Sequence, residues 1–441
     1  MLSKNPYRGT RDFFPAEKRI QDYMFAMMRK TAESFGYESY DGPMLEEVEL
    51  YKAKSGEELI NDQIYSFTDR GERFVAIRPE MTPTLARMIS QIYREYPKPI
   101  RWFSIPNLMR YEKPQKGRLR EHWQFNCDIF SGEGRLGEVE ILLVASALLE
   151  NFGATHEHFE ILLNDRAIVD CVFNDLMGVD KELAYQLYKI VDKSKKVTSE
   201  ALTKMIDEKN LEGPARKVFE EYLALSSPEQ VIDYLKSYGK EEVANSFAEF
   251  MSLIDESELG PYITYDPCIV RGLDYYTGIV FEIFDKNPEN RRAICGGGAY
   301  ANLLQIFNED PLPGVGFGLG DVTLKDFLET HGLLPNLSIN DIDLVLSFQT
   351  LEARKSVWNI ARELRRKDIK VLNLFEIVKF KKLFPMAEKK GASFVGIIGE
   401  DELQKGVIQF KNLKTKEQID IALSDFDQMA EVLKKAQNEI N

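Results

Sequence analysis

Two strand-like segments joined by a charged loop, between residues 102 and 130, constrain the fold of this chain more than any other stretch. Polar residues recur there at every second position, so Arg110 and Glu112 would share one face of the first segment. On the second segment the residues that would share a face are Gln124, Asn126 and Asp128. The two segments also carry the aromatic residues Phe103, Tyr111, Trp123, Phe125 and Phe130, so the side of the sheet opposite the polar face is expected to be packed. The pattern predicts an antiparallel sheet whose polar side is either a solvated surface or a platform for a ligand.

The hydrophobic pattern changes along the chain and divides it into regions. At 441 residues the chain is too long for one ordinary core, so two or three domains are expected. Charged helical segments with few strand signals fill residues 166–262, which indicates a helical insertion. Farther on, strands alternate with helices, as in a three-layer α/β domain with a mostly parallel sheet. We therefore predict an α+β domain with an antiparallel sheet over residues 1–330, carrying the insertion, and a separate α/β domain over residues 338–441.

Composition argues against several classes of protein. The chain has no run of eighteen apolar residues and no apolar segment near its start, which argues against a membrane span or a signal peptide and favours the cytoplasm. The 4 cysteines are scattered without a CxxC pair, and the 4 histidines have no third ligand nearby. Neither a metal site nor a disulfide framework is therefore indicated.

The net charge of −14 argues against unspecific affinity for nucleic acid, although it leaves room for a local basic surface. Basic residues gather near two helix ends in the last region: Arg362, Arg365, Arg366 and Lys367, then Lys379, Lys381 and Lys382. They are either ordinary solvated charges or a patch for RNA.

Two short motifs hold charged residues where a ligand could bind. In RPEMTP (residues 78–83) a charged pair precedes a helix, so Glu80 either complements the helix dipole or binds a substrate ammonium group. RGLDYYTG (residues 271–278) places a cation, a carboxylate and two phenols before an apolar strand. Taken alone, this second motif is either a hairpin with a surface ion pair or a binding loop.

Two glycine-rich runs follow, CGGGAY at residues 295–300 and GVGFGLG at residues 314–320. Consecutive glycines allow another strand or a ligand to approach the backbone closely. The second run does not lie in the strand-turn-helix setting of a dinucleotide site, so we predict that it packs a strand against a helix.

Four of these segments together resemble one family. RGLDYYTG and GGGAY resemble the two signatures specific to histidyl-tRNA synthetases, RPEMT resembles their amino-acid-binding loop, and residues 109–128 resemble motif 2 of class II synthetases. The tail segment GEDEL (residues 399–403) resembles part of the anticodon-binding domain of that family. The resemblance spans nearly the whole chain and implies a class II catalytic domain. It also implies a homodimer formed through the motif 1 strand that reaches Pro43.

The resemblance also implies roles for individual residues. Arg110 and Arg271 would stabilise the α-phosphate of ATP, and Glu112 and Arg118 would also bind ATP. The residues implied to bind histidine are Glu80, Thr82, Gln124, Asp128, Tyr275, Tyr276 and Tyr300. The implied reaction uses ATP and Mg²⁺ to form histidyl-adenylate and then transfers histidine to the 3′ end of histidine tRNA. Two guanidinium groups at the phosphorus make a general base unnecessary.

Three positions depart from the family pattern. Thr323 stands where motif 3 has an arginine on the γ-phosphate, and Ala299 and Ala301 stand where arginine and aspartate are usual. We expect these changes to affect the handling of pyrophosphate and the support of Tyr300. They leave a second hypothesis open, a histidine-sensing protein that resembles the regulatory subunit of ATP phosphoribosyltransferase and does not charge tRNA. The α/β tail argues against it, because that regulator lacks an anticodon domain.

Overall fold

Two units make up the chain in the computed structural model, which describes residues 2–52, 62–130, 134–270, 276–337 and 342–438. The first unit is Met1–Leu334 and the second is Pro335–Asn441. Each unit has buried apolar clusters of its own, so each has the core that an independent domain needs.

A nine-stranded sheet lies at the centre of the first unit, and a smaller sheet has three strands. In chain order the strands are β1 (Glu38–Ser39), β2 (Leu45–Glu47), β3 (Tyr65–Thr68), β4 (Phe74–Ile77), β5 (Ile100–Ser104), β6 (Asn107–Met109), β7 (Glu121–Phe130), β8 (Phe159–Asp165), β9 (Ile263–Tyr265), β10 (Ile279–Asp285), β11 (Cys295–Tyr300) and β12 (Gly314–Gly320). The large sheet runs in the order β1-β5-β7-β12-β11-β10-β8-β9, with β6 paired to β7, and the small one in the order β2-β4-β3.

The middle of the large sheet is antiparallel, as the sequence predicts. Each pairing from β5 to β8 along this order is antiparallel, whereas β1 and β9 pair in parallel at the two ends. The alternating residues of the central strands point to opposite sides. One side, with Phe125, Phe281 and Phe317, belongs to the main apolar cluster, and the other side is the one that bears the polar residues of β7.

The helices of the first unit are α1 (Pro15–Ser34), α2 (Val48–Lys52), α3 (Thr82–Ile92), α4 (Leu136–Asn151), α5 (Arg166–Asp170), α6 (Lys181–Lys193), α7 (Ser199–Asp207), α8 (Gly213–Leu223), α9 (Pro228–Ser237), α10 (Glu241–Glu256) and α11 (Asp321–Thr330). Apolar residues cover α4 on almost every side because it contacts α1, α10 and the sheet. None of the helices that the structure describes has the length and apolar character needed to cross a membrane.

The stretch between β8 and β9 is the predicted helical insertion. Every regular element that the structure describes between these two strands is helical, from α5 to α10. Its residues Phe173, Phe219 and Phe247 are buried in the same apolar cluster as Ile161 and Phe281 of the sheet. The insertion therefore shares the core of the first unit instead of building a separate one.

The second unit alternates strands and helices, as the sequence predicts. Its strands are β13 (Ile342–Phe348), β14 (Val371–Asn373), β15 (Ala392–Ile398), β16 (Val407–Asn412) and β17 (Gln418–Ala422), and its helices are α12 (Arg354–Arg365), α13 (Phe380–Lys389), α14 (Glu400–Lys405) and α15 (Phe426–Asn438).

The sheet of the second unit is mixed, which corrects the prediction of a mostly parallel one. The strands β14 and β15 flank β13 in parallel, but β16 and β17 continue the sheet in antiparallel pairings. The reason lies in the connections, because a parallel crossover needs a dozen or more residues. The links from β15 to β16 and from β16 to β17 are shorter than that.

Candidate active site

Three strands form the floor of a candidate site on one side of the large sheet. The register sets three residues of β7 opposite glycines of β12: Gln124 and Gly320, Asn126 and Gly318, Asp128 and Gly316. The next strand, β11, adds Tyr300 to the same side. Asn126 and Asp128 are buried, so this polar side is not a solvated surface. Buried polar groups arranged in this way can form a platform for a ligand.

The glycines of β12 leave the space that neighbouring side chains occupy. A Cβ atom at Gly316 would lie 2.1 Å from Oδ1 of Asp128, and one at Gly318 would lie 2.5 Å from Nε2 of Gln124. Neither distance is possible for non-bonded atoms, so both positions require glycine in the observed arrangement. The strand β12 contacts the helix α4, as predicted, but its glycines make room for side chains of the neighbouring strand β7.

Asp128 and Tyr300 form a buried pair at the centre of the floor. The hydroxyl of Tyr300 donates a hydrogen bond of 2.5 Å to Oδ1 of Asp128. Burial raises the pKa of Asp128 to about 7, although the bond from Tyr300 opposes this rise. A carboxyl group of this kind can bind the N–H of an imidazole and can change its charge near neutral pH.

Tyr276 lies next to this pair. It is buried, and its ring covers Gly298, where a Cβ atom would lie 2.6 Å from Cδ1 of the ring. Arg271 and Tyr275, which the sequence assigns to the site, lie outside the described residues, so their roles stay predictions.

The alanines at positions 299 and 301 do not remove the support of Tyr300. Its hydroxyl is bound to Asp128, and its ring meets that of Phe130 edge to face with centroids 5.8 Å apart. Ala299 is part of the main apolar cluster, on the other side of the sheet. The backbone N–H of Ala301 donates to the hydroxyl of Thr277 at 3.0 Å. The expected weakening of Tyr300 is therefore not present in this geometry.

Glu80 and Thr82 lie where α3 begins. Thr82 is the first residue of the helix, and Glu80 is buried just before it. Burial raises the pKa of the Tyr51 phenol, and the nearby carboxylates of Glu46 and Glu80 raise it further. The partial positive charge of the helix N-terminus stabilises a buried carboxylate at this point.

Arg110 connects the loop before α3 to the neighbouring β-structure. Its Nε donates a hydrogen bond of 2.8 Å to the carbonyl oxygen of Pro79. Arg78 is buried and holds the same loop from the other end, with Nη1 2.8 Å from Oδ1 of Asp41. The segment that carries Glu80 is thus fixed by two arginines.

The charged loop after Arg110 closes as a narrow turn. Gln115 and Arg118 exchange two backbone hydrogen bonds of 2.9 Å, and Gly117 between them has a φ of +72°, which favours glycine. Arg118 forms an ion pair with the buried carboxylate of Glu112. Arg120 stacks on the ring of Tyr111 at 4.1 Å from its centroid.

A cleft of about 450 Å³ opens beside the floor of the sheet. The predicted site residues that line it are Arg110, Glu112, Arg118 and Gln124. Sequence reasoning missed others that also line it: His122, Glu282, Arg291 and Arg292. Two adjacent arginines before CGGGAY were the available signal for the last two.

The electrostatics of the cleft favour an anion. Loss of solvent, together with the positive charges of Arg110, Arg11 and Arg118, lowers the pKa of His122 to about 3. This imidazole is therefore neutral at physiological pH. Among the described residues, no group of three or more histidine, cysteine or acidic side chains is placed to hold a metal ion.

Comparison of the sequence with known proteins identifies the family. The sequence profile described as histidyl-tRNA synthetase matches residues 9–323, and the profile described as anticodon binding domain matches residues 344–435. The chain belongs to the histidyl-tRNA synthetase family. It is 40% identical over 440 residues to the histidine–tRNA ligase of Leptospira biflexa, and the alignment covers 100% of this chain and 99% of that protein.

Solved structures show the same fold. A histidyl-tRNA synthetase from Nostoc sp. PCC 7120 superposes with a TM-score of 0.79 at 22% identity, covering 99% of this chain and 100% of that one. A structure described as an ATP phosphoribosyltransferase regulatory subunit/histidyl-tRNA synthetase from Bacillus halodurans C gives a TM-score of 0.73 at 19% identity, covering 90% and 98%. At these identities the two likenesses show the fold and do not choose between the two functions.

The second unit carries an exposed aromatic surface, within the region that matches the anticodon-binding profile. Trp358 is 56% exposed and Phe375 is 93% exposed, and both line a cavity of about 330 Å³ together with Arg365. The guanidinium of Arg365 donates to the carbonyl oxygen of Val371 at 2.8 Å. Exposed aromatic rings next to an arginine can stack with unpaired bases.

Three basic residues close to Arg365 in the sequence are already paired. Arg362 and Arg366 both bind Glu363, and Lys367 binds Asp427. Of the two interpretations of the basic cluster on α12, solvated charge fits these three residues better, and Arg365 with the aromatic pair is the better candidate for contact with RNA.

Proposed function

We propose that this chain is a histidine–tRNA ligase in which the described cleft binds ATP and the adjoining floor binds histidine. The observation that carries this proposal is the buried Asp128–Tyr300 pair beside a cleft lined by arginines. The pair suits an imidazole, and the cleft suits a polyphosphate. Because the Asp128–Tyr300 pair and the cleft lie along the same sheet, the two substrates would be bound side by side.

Histidine would be recognised by hydrogen bonds at both of its ends. Glu80 and Thr82 bind the α-amino group at the start of α3. The residues that surround the imidazole are Gln124, Asp128, Tyr275, Tyr276 and Tyr300. A substrate of similar size without the imidazole N–H groups would leave these polar groups unpaired, which typically costs on the order of 10⁴-fold in kcat/KM.

The first chemical step joins histidine to the α-phosphate. A carboxylate oxygen of histidine forms a bond to the α-phosphorus, and the bond from that phosphorus to the bridging oxygen breaks. The electron pair of that bond leaves with pyrophosphate. Arg110 and Arg271 stabilise the charge that develops on the α-phosphate, because a guanidinium stays charged and can offer two N–H donors. Glu112 and Arg118 bind the rest of the nucleotide.

ATP would enter as its Mg²⁺ complex. Magnesium in such sites is held by one or two carboxylates together with substrate phosphates, and Glu112 and Glu282 are the carboxylates that line the cleft. Bound there, the ion would neutralise part of the phosphate charge. Residues 1–330 serve as the catalytic domain, with the helical insertion at about 166–262.

The second step transfers histidine to the 3′ end of its tRNA. Residues 338–441 serve as the anticodon-binding domain, and Trp358, Arg365 and Phe375 provide the surface for the anticodon bases. We further propose that the enzyme acts in the cytoplasm as a homodimer. Gel filtration with light scattering tests the homodimer, and fractionation of the source cells tests the location.

Histidine-dependent exchange of pyrophosphate into ATP, followed by charging of a histidine tRNA transcript, tests the function. We expect both activities in the unaltered protein, and we expect Arg110→Ala to lower the exchange rate about 100- to 1000-fold. Arg70→Ala, which removes an exposed arginine from the turn between β3 and β4, is the control. A protein that binds histidine but supports neither activity would instead favour the regulator hypothesis.

A further inference from the structure

Thr323, which has a short and neutral side chain, occupies the position where motif 3 has its arginine. The single proton of its hydroxyl lies within reach of two carbonyl oxygens, those of Gly320 at 3.2 Å and Ile294 at 3.3 Å. The backbone N–H of Gly320 also donates to Ile294, at 3.4 Å. The start of α11 is therefore bound directly to the segment that precedes β11, and this segment carries Arg292.

Arg292 lies close to Thr323 inside the cleft. A Cβ atom built on Gly117 would lie 3.0 Å from Cδ of Arg292 and 3.5 Å from Cγ2 of Thr323, so both side chains border the same small volume. The side chain of Arg292 also lines the cleft beside Arg118. A cation therefore lies on the segment next to the first turn of α11, where the family pattern has its arginine.

Two other arginines near this point, Arg118 and Arg120, are already engaged. Arg118 is paired with Glu112, and Arg120 donates to the hydroxyl of Tyr7 at 2.8 Å while it stacks on Tyr111. Arg292 donates from Nε to the carbonyl oxygen of Lys116 at 3.3 Å. Within the part of the chain that the structure describes, it forms no ion pair with a carboxylate.

The surroundings of Arg292 would gain from a bound anion. Loss of solvent lowers the pKa of this guanidinium, and the positive charge of Arg118 lowers it further, while Glu112 opposes the change. A phosphate group placed between the two guanidiniums would relieve their repulsion and would accept charge-assisted hydrogen bonds.

The geometry points to Arg292 as the residue that binds the terminal phosphates of ATP in place of the missing motif 3 arginine. This inference rests on the proposed function, in which the cleft holds ATP. When the bond between the α-phosphorus and its bridging oxygen breaks, the electron pair stays on pyrophosphate, and Arg292 stabilises that added charge. Arg110 and Arg271 act on the α-phosphate, so the two ends of the triphosphate are bound by different cations.

Arg292→Ala separates these two ends. We expect its KM for ATP and its KM for pyrophosphate in the exchange reaction to rise about 10- to 100-fold. Inhibition by AMP, which lacks the terminal phosphates, and the KM for histidine should change less than about two-fold, because one lost contact at the far phosphates leaves these ligands untouched. If binding of AMP, histidine and pyrophosphate all weakened to the same extent, Arg292 would have a general structural role and the assignment would be overturned.

A second variant tests the exchange of positions. Arg292→Ala combined with Thr323→Arg places a guanidinium in the volume beside Gly117 again, now from α11. We expect the double variant to recover at least a tenth of the unaltered kcat/KM for ATP. A double variant no better than Arg292→Ala would contradict the claim that the two positions serve the same phosphate.

Arg291→Ala is the matched comparison. Arg291 is exposed, whereas Arg292 is half-buried, so we expect Arg291→Ala to have the smaller effect. If the KM for ATP and for pyrophosphate rose equally in both variants, the effect would come from net charge alone, and the assignment would also be overturned. Calorimetric titration with inorganic pyrophosphate keeps the test independent of catalysis. If the unaltered protein lacks exchange activity, the proposed function fails, but a difference in pyrophosphate binding between it and Arg292→Ala still decides the role of Arg292.

Discussion

A carboxyl group whose pKa lies near 7 gains or loses its charge within the physiological range of pH. Asp128 is such a group because it is buried, and its partner Tyr300 supplies one hydrogen bond. The unfolded carboxyl has a pKa of about 4. Between these two pKa values the folded protein holds a proton that the unfolded chain has released. The contribution of Asp128 to stability therefore falls as the pH rises from about 4 to about 7.

Asp128→Asn removes this titration and keeps an oxygen that can accept the bond from Tyr300. We expect the free energy of unfolding of the unaltered protein, relative to that of the variant, to fall by about 2–3 kcal/mol between pH 5 and pH 8. Urea unfolding of both proteins at several pH values measures this difference. Burial also raises the pKa of Glu138 to about 7, but that residue is present in both proteins and its effect cancels in the subtraction. Identical pH profiles would contradict the raised pKa of Asp128.

Single residues also show where sequence reasoning reaches its limit. The absence of an arginine at position 323 is visible in the sequence because motif 3 has a fixed spacing. The position of Arg292 beside Thr323 is not visible, since it arises from the pairing of β11 with β12 and from the bonds that Ile294 accepts. Spacing describes neighbours within one element, whereas a site is completed by contacts between elements.

At the level of elements, the two sides of β12 explain why a glycine occupies every second position of this strand. Its glycines face the site, and the residues between them, Val315, Phe317 and Leu319, belong to the apolar cluster. One side of the strand is thus reserved for side chains from its neighbours and the other for the core.

Gly316→Ala and Gly318→Ala should differ in their effects. The new methyl group at 316 would meet Asp128 and the carbonyl oxygen of Cys127 at 2.8 Å, and neither of these can move easily. At 318 it would meet the end of the Gln124 side chain, which can rotate away. We expect a loss of about 2–3 kcal/mol in the free energy of unfolding for Gly316→Ala and less than about 1 kcal/mol for Gly318→Ala. Thermal unfolding of both variants tests this order, and an equal loss would contradict it.

The sequence predicts most elements and fewer of their pairings. The strand Ile342–Phe348 and the helices of the insertion follow from hydrophobic period and length, which are local properties. The direction of β16 relative to β15 depends on a connection that contains only the short helix α14. The alternation of strands and helices in the second unit predicts longer crossovers, so the pattern alone does not predict the mixed sheet.

At the scale of the whole molecule, the proposed function separates activation of histidine in the first unit from recognition of the anticodon by the second. Each unit has its own buried clusters, and the predicted residues of the adenylate site that the structure describes all lie in the first one. Changes to the aromatic surface of the second unit should therefore affect tRNA without affecting activation of histidine.

Trp358→Ala combined with Phe375→Ala tests this division. Loss of two stacking rings should raise the KM for tRNA about 10-fold or more, while histidine-dependent exchange of pyrophosphate stays within about two-fold of the unaltered rate. Leu351→Ala removes another exposed apolar side chain from the same unit and serves as the control. An equal rise in the KM for tRNA in the control would show that the cavity of Trp358 and Phe375 has no special part in binding.

The order of strands in the large sheet also affects how the protein is made. The floor of the site pairs β7 with β12, and the helical insertion is translated between these two strands. More than half of the residues that follow β7 must therefore be translated before that pairing can form. Until then the apolar side of β7, with Phe125 and Ile129, lacks its neighbour on this edge. Such exposed strands invite aggregation, so newly made chains should depend on chaperones until Gly320 has left the ribosome.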